Sequence, residues 1–304
     1  MSTIQRHRLC PNAPTRLLFA VLLSAALVFI AAGALATVQL QHAWLDPNGE
    51  PLPFTVEEEV LEFLATAEVV ETVDELRGVT RPRKMLLDNG VLRMHAVFRD
   101  LDERRDRRRF RGRTHPVFRD SYQFEVAAYE LSRMLGFDAV PPTVLRRVHG
   151  TSGSLQAFVE GAFRETDRRD RGLQPPDPVR WNRQWQQMEL FDQLVYNLDR
   201  NSGNLLIDGD WKIWLIDHTI AFFRYTELED TTEIVSCERR VWERLRALDR
   251  DVMRDRLRPF LLDVEIDGLL ARADLIVERL AALIAARGEA AVIWDRDAWA
   301  DSAQ

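Results

Sequence analysis

The chain is short of cysteine, short of lysine and, over one long stretch, empty of cations. Its two cysteines, Cys10 and Cys237, are too few and too far apart for a disulfide framework or a cysteine metal cluster, so redox chemistry is not its business. Only Lys84 and Lys212 are lysines among 41 basic residues, a bias that fits a GC-rich coding background rather than a need for guanidinium chemistry at every position. Between Thr37 and Leu76 there is no Lys or Arg at all, and no internal repeat is evident. A net charge of -7 gives no general attraction to nucleic acid or an anionic surface, and 46% apolar content excludes wholesale disorder. The 304 residues suffice for one large or two small lobes with a real core.

What is present begins with an apolar run. Residues 17–38, "LLFAVLLSAALVFIAAGALATV", carry no charge over about 22 positions, enough to cross a hydrocarbon core of roughly 30 Å as a helix. Arg6, Arg8 and Arg16 precede it and the cation-free stretch follows, so positive-inside logic keeps a tail of residues 1–16 in the cytoplasm and the rest outside. Ala34-Leu35-Ala36 offers a small-x-small cleavage site, which would give a secreted chain cut after Ala36. The apolar run exceeds a usual signal core, which favours an uncleaved single-pass anchor.

After a turn-rich linker over 39–56, "TVEEEVLEFLATAEV" reads as a short helix with acidic residues near its start. The runs "EVVETVDEL", "RKMLL" and "VLRMHAVFR" read as strands, separated by "RGVT" and by the hairpin signal "DNG". Residues 103–119 hold eight arginines with almost no apolar periodicity, which predicts a mobile loop; the sharper alternative is a landing site for an acidic or phosphorylated substrate, or for lipid headgroups. "SYQFEVAAYELSRMLGF" is an amphipathic helix with Phe124, Ala127, Ala128, Leu131 and Leu135 on one face, Glu125 at the edge of that face, and Gly136 as its stop. "AVPPTVLRRV" and "SLQAFVEG" add two strands. The expected N-terminal lobe, 57–160, is thus a small antiparallel sheet of about five strands with one main helix. From Trp181 helix dominates, which makes 161–287 mainly helical and 288–304 a tail; the fold class is α+β.

The chemistry concentrates in "NLDRNSGNLLIDGDWKIWLIDHTIAF", residues 197–222. Hard divalent cations take oxygen ligands, and phosphoryl transfer needs such a cation together with a carboxylate that receives or orients the acceptor hydroxyl. Asp199 and Asn204 are five residues apart in a loop leaving a helix, and "WKIWLID" delivers Asp217 back to that loop through a short hairpin. Three oxygen donors can converge there; each Asp taken alone also reads as a turn or cap residue.

The same stretch resembles the catalytic core of the atypical kinases that include the phosphoinositide 3- and 4-kinases, the HipA-type toxins and the secretory-pathway kinases of the Golgi casein kinase and Four-jointed kind. "FEVAAYELSRMLGFDAVPPTVLR" is similar to the C-helix and following strand of the secretory-pathway members, and "GSLQAFV" to their hinge; the likeness runs from about Ala67 to Phe223. It implies a bilobal kinase-like fold behind the N-terminal transmembrane helix, with ATP and Mg²⁺ or Mn²⁺ as cofactors and an unidentified hydroxyl on a protein or small molecule as acceptor. By the resemblance, Asp199 is the catalytic carboxylate and Arg200 orders its loop, Asp217 and Asn204 are metal ligands, and Glu125 pairs with a phosphate-binding cation or touches the metal. Phe158 and Val159 line the adenine pocket, and Asp192 is structural.

Three positions depart from the pattern. Arg99 stands where the nucleotide-binding lysine should be, and a planar guanidinium is no neutral replacement for an ammonium. Lys84 on the preceding strand is the alternative source of that ammonium. His218 follows Asp217 in place of Phe, and Asn201 follows Arg200 in place of His, both of which bear on loop packing. Arg99 keeps a second reading open, a pseudokinase that binds nucleotide or a partner without turnover.

Overall fold

The first helix is fixed by its own acidic residues. Glu59 accepts the backbone N–H of Thr55 at 2.6 Å and of Val56 at 3.3 Å, while Glu57, Glu58 and Glu59 set negative charge at the positive end of α1 (Glu57–Thr66). The structure, a computed structural model, describes Leu40 and residues 42–76 and 81–296. The expected membrane segment 17–38, the tail before it, the "RGVT" turn and residues 297–304 lie outside the described residues. Among the described residues no helix is long and apolar enough to cross a membrane.

Along the chain follow β1 (Glu68–Glu75), β2 (Arg83–Asp88), β3 (Arg93–Arg99), β4 (Asp102–Phe110), β5 (Arg113–Ser121), α2 (Gln123–Leu135), β6 (Thr143–Val148) and β7 (Thr151–Ala157). Five of these strands form one antiparallel sheet in the order β1-β2-β3-β7-β6, built from the five runs read as strands in the sequence. Strand alternation sorts its two faces. Met85, Leu87, Met94, Ala96, Phe98, Leu155 and Ala157 are buried with Val60, Phe63 and Leu64 of α1. Lys84, Val97 and Gln156 are register partners on the opposite face, and Arg99 lies two residues beyond Val97 on that same face. This second face roofs the candidate site.

The arginine-rich stretch 103–119 is not a mobile loop. It forms a hairpin, β4 against β5, joined by Arg111 (φ 49°) and Gly112 (φ 79°), the two positive φ values that a tight two-residue turn requires. What orders it is apolar and distant in sequence: Phe118 packs with Tyr196, Leu198, Ile220 and Phe223, flanked by Phe110 and Tyr225. His115 is buried in the same cluster, with Nε2 at 3.2 Å from the Phe110 carbonyl and Nδ1 at 3.0 Å from the Tyr225 hydroxyl. Two buried rings and the half-buried Phe110, set among arginines, leave no apolar period to read.

α2 ends at Gly136, left-handed at φ 74°, and its apolar face joins the helical core rather than standing apart from it. β8 (Phe163–Arg164) and α3 (Glu165–Asp170) lead to α4 (Pro178–Val195), capped by Asp177, whose carboxylate accepts the N–H groups of Val179 at 2.9 Å and Arg180 at 3.0 Å. β9 (Leu205–Ile207) and β10 (Ile213–Leu215) form the short hairpin that the sequence predicts, with β8 on the outer edge of β9. β11 (Cys237–Glu238) pairs in parallel with β12 (Ile293–Trp294), and α5 (Arg239–Arg246), α6 (Arg250–Leu257) and α7 (Asp263–Arg287) supply the three helices expected between them.

Candidate active site

α4 ends at Tyr196 with φ 53°, and the chain reverses into the loop that carries Asp199. Asn197 accepts the Asp199 N–H at 2.9 Å; Asn201 donates to the Asp199 carbonyl at 2.9 Å and accepts the Gly203 N–H at 2.8 Å. The Asn204 side-chain NH₂ also donates to the Asp199 carbonyl, at 3.1 Å, which turns its amide oxygen the other way. The five-residue spacing of Asp199 and Asn204 therefore closes as a small hydrogen-bonded loop.

Arg200 clamps that loop to its surroundings. Its guanidinium meets Asp192 at 2.7 and 3.0 Å, donates to the carbonyls of Asn204 and Ile216 at 2.8 Å each, and lies 3.0 Å from His218 Nε2. A guanidinium can only donate, so Nε2 accepts and the ring proton sits on Nδ1. Nδ1 is 3.5 Å from Glu125 Oε2, and the His218 backbone N–H donates to Glu125 Oε1 at 3.1 Å. Asp192 thus acts as Arg200's counter-ion, the structural part expected of it.

Glu125, 0% exposed, also faces Arg99, 6% exposed, at 3.4 Å, and Arg99 Nε lies 4.0 Å from Asp217 Oδ1. Burial opposes ionisation of Glu125, yet Arg99 beside it and the His218 contacts hold its carboxyl below the usual range. Asp217 leaves β10 with φ 61°, a left-handed conformation that Asp tolerates better than most side chains, and Thr219 donates to it at 3.4 Å. The structure therefore brings the buried Arg99, Glu125 and His218 together, with the half-buried Asp217 at their open side.

Arg99 and Asp217 line a cleft of about 600 Å³ with Val97 and Gln156 from the sheet, Phe158 and Val159 from the segment after β7, and Asn204 from the loop after α4. That volume suits a nucleotide-sized ligand. Lys84 stands apart from the cluster. Its ammonium is 3.6 Å from Glu160 and 3.7 Å above the Phe158 ring, so it sits at the hinge end of the cleft, where Glu160 also pairs with His95. Arg99, not Lys84, is the cation beside Glu125.

Burial raises the pKa of Asp199, and the nearby Asp217 carboxylate raises it further against the opposing charges of Arg111 and Arg200. Burial likewise raises Asp120, with Asp217 adding to the effect and a Thr219 hydrogen bond opposing it; its Oδ1 has no hydrogen-bond partner. Sequence reasoning passes over Asp120, which sits on β5 just after the arginine-rich stretch, and over Arg111, whose Nη2 is 3.9 Å from Asp199 Oδ1. The one visible sign of Arg111 is the Arg-Gly pair that makes the turn. Among the described residues no three His, Cys, Asp or Glu side chains converge as a ready-made metal cluster. Mutually repelling carboxylates and an Asn amide oxygen are hard donors, and the set fits a cation that draws its remaining oxygens from phosphates and water.

No protein-family model matches the sequence, and no curated protein matches it. Solved structures do. Fam20 from hydra, in a structure with sugar, superposes with a TM-score of 0.61 at 15% identity, over 79% of this chain and 92% of that one. The Golgi casein kinase gives a TM-score of 0.55 at 16% identity, over 78% of this chain and 77% of that one. The same kinase with Mn/ADP bound gives 0.55 at 16% identity, over 78% of each chain. The chain has the fold of the atypical kinases, the class its catalytic-loop sequence resembles.

Proposed function

We propose that the chain is an ATP-dependent phosphotransferase that moves the γ-phosphoryl group to a hydroxyl of a protein or small-molecule acceptor. The observation that carries this reading is the Arg99–Glu125–Asp217 cluster at the cleft, with Asp217 near enough to Asp199 to help raise that carboxyl's pKa. Asp217 and Asn204 would hold Mg²⁺ or Mn²⁺, whose part is to neutralise phosphate charge. Arg99, fixed by Glu125, binds phosphate oxygens, while Phe158 and Val159 pack the base. Asp199 orients the acceptor hydroxyl and takes its proton, a task that a raised pKa assists. Arg200 keeps the loop in register.

The Mn/ADP of the Golgi casein kinase structure supports a nucleotide and a divalent cation here. The sugar with hydra Fam20 and the casein in the other kinase's name both fit a hydroxyl acceptor. The apolar run 17–38 and the cations before it support a single-pass arrangement with the catalytic region outside the cytoplasm.

A second reading, a pseudokinase, rests on Arg99. Its guanidinium is held between two carboxylates, and a planar fork does not replace an ammonium atom for atom. Thermal unfolding of the full chain with ATP and Mg²⁺ or Mn²⁺ tests the common ground of both readings. A metal-dependent rise in Tm that Asp217→Ala abolishes is expected; an unchanged rise in that variant contradicts the assignment.

A further inference from the structure

The hairpin of β4 and β5 carries eight arginines against two carboxylates, Glu103 and Asp106, between residues 103 and 119. Like charges crowded on one two-stranded ribbon repel, and an anionic partner would relieve that repulsion. Some are spoken for. Arg113 lies 3.8 Å over the Tyr225 ring and 3.3 Å from Glu227, Arg108 stacks 4.2 Å over Phe118, and Arg119 pairs with Glu265 at 2.6 Å. These three moor the hairpin. Among the described residues the side chains of Arg107 and Arg109 make no hydrogen bond or ion pair and both are exposed, while the exposed Arg111 lies 3.9 Å from Asp199 and close enough to Glu229 to oppose the rise in that carboxyl's pKa.

The mooring decides what the free arginines can do. His115 and Phe118 pack on Ile220, Phe223 and Tyr225 after Asp217 and on Leu198 before Asp199, so the turn is held beside the carboxylate assigned to the acceptor hydroxyl. We propose that Arg107, Arg109 and Arg111 form an oxyanion subsite for the acceptor, which therefore carries carboxylate, phosphate or sulfate groups near the hydroxyl it presents. This inference rests on the kinase reading of Asp199. Guanidinium forks match such oxyanions in a bidentate manner, and an anion that engages Arg111 draws it from Asp199. A membrane surface fits less well, because its headgroups would have to approach within a few ångströms of the catalytic loop.

Binding to the full chain without nucleotide tests the subsite separately from turnover, with a short polyglutamate peptide, inorganic phosphate and phosphatidylserine vesicles as probes. Polyglutamate is expected to bind, with affinity falling as salt rises, and to bind about tenfold more weakly to the triple variant Arg107→Gln, Arg109→Gln, Arg111→Gln. Asp199→Asn removes the carboxylate that competes for Arg111, and is expected to bind the peptide and phosphate several-fold more tightly. Equal binding by wild type and triple variant, an Asp199→Asn variant no tighter than wild type, or binding to vesicles alone each overturns the proposal. Arg111→Gln by itself, about threefold weaker, serves where the triple variant fails to fold. The nucleotide-induced rise in Tm, read in parallel, reports on the kinase reading independently.

Discussion

Glu125→Gln isolates the charge at the centre of the site without changing its shape. The amide oxygen can still accept the His218 backbone N–H, now 3.1 Å from Oε1, while its NH₂ loses the contact that Oε2 makes with the Nδ1 proton at 3.5 Å, so the losses are that contact and the charge facing Arg99 at 3.4 Å. At that separation and an effective dielectric of about 20 the pair attracts by ~5 kcal/mol before desolvation. Removing one partner of a buried pair typically destabilises by about 3–5 kcal/mol, because the other charge stays buried. Asp217, 4.0 Å from Arg99, offsets part of this, which leaves ~3 kcal/mol expected near neutral pH. The pH dependence follows from the lowered pKa of Glu125 in the fold. Its contribution is fully present above the unfolded carboxyl value of about 4.3 and fades as pH falls through the folded value, so the wild-type and variant curves converge below about pH 4. Urea unfolding of both proteins across that range measures the gap. A gap below ~0.5 kcal/mol at neutral pH, or one that widens on acidification, refutes the reasoning.

Two further outcomes follow from the hairpin and from Asp199. The acid limb of the activity profile should lie above the ordinary Asp value, and Arg111→Gln should move it to higher pH, because the guanidinium opposes the burial and Asp217 repulsion that raise Asp199; a shift to lower pH contradicts the assignment. Phe118→Ala should destabilise by ~3 kcal/mol and speed amide exchange across β4 and β5, since Phe118 is fully buried in the cluster that anchors them. Slow exchange in that variant would show that another contact holds the hairpin.

The sheet was legible because strand alternation is local: Met85, Leu87, Met94, Ala96 and Phe98 fall on one face by count alone. The Asp199 to Asn204 loop was legible for a similar reason, since its hydrogen bonds span only two to five residues. Contacts between distant residues were not. His218 meets Glu125 across 93 positions, so a histidine that looks like a loop-packing variant is in fact the bridge between Arg200 and α2. The hairpin is hidden for the same physical reason, because Phe118 and His115 bury against residues far along the chain and the arginines that flank them mask any period. Lys84 shows the limit in the other direction. Its strand face is predictable, but the pull of Glu160 and Phe158 along that face, away from Arg99, is not.

Turnover tests the phosphotransferase reading most directly. With γ-labelled ATP and Mn²⁺ the full chain should consume nucleotide, whereas Asp199→Asn should keep its metal-dependent ATP affinity and lose about a hundredfold or more in rate, as removal of a general base does. Tight ATP binding by the wild type with no consumption, or equal consumption by Asp199→Asn, would contradict it.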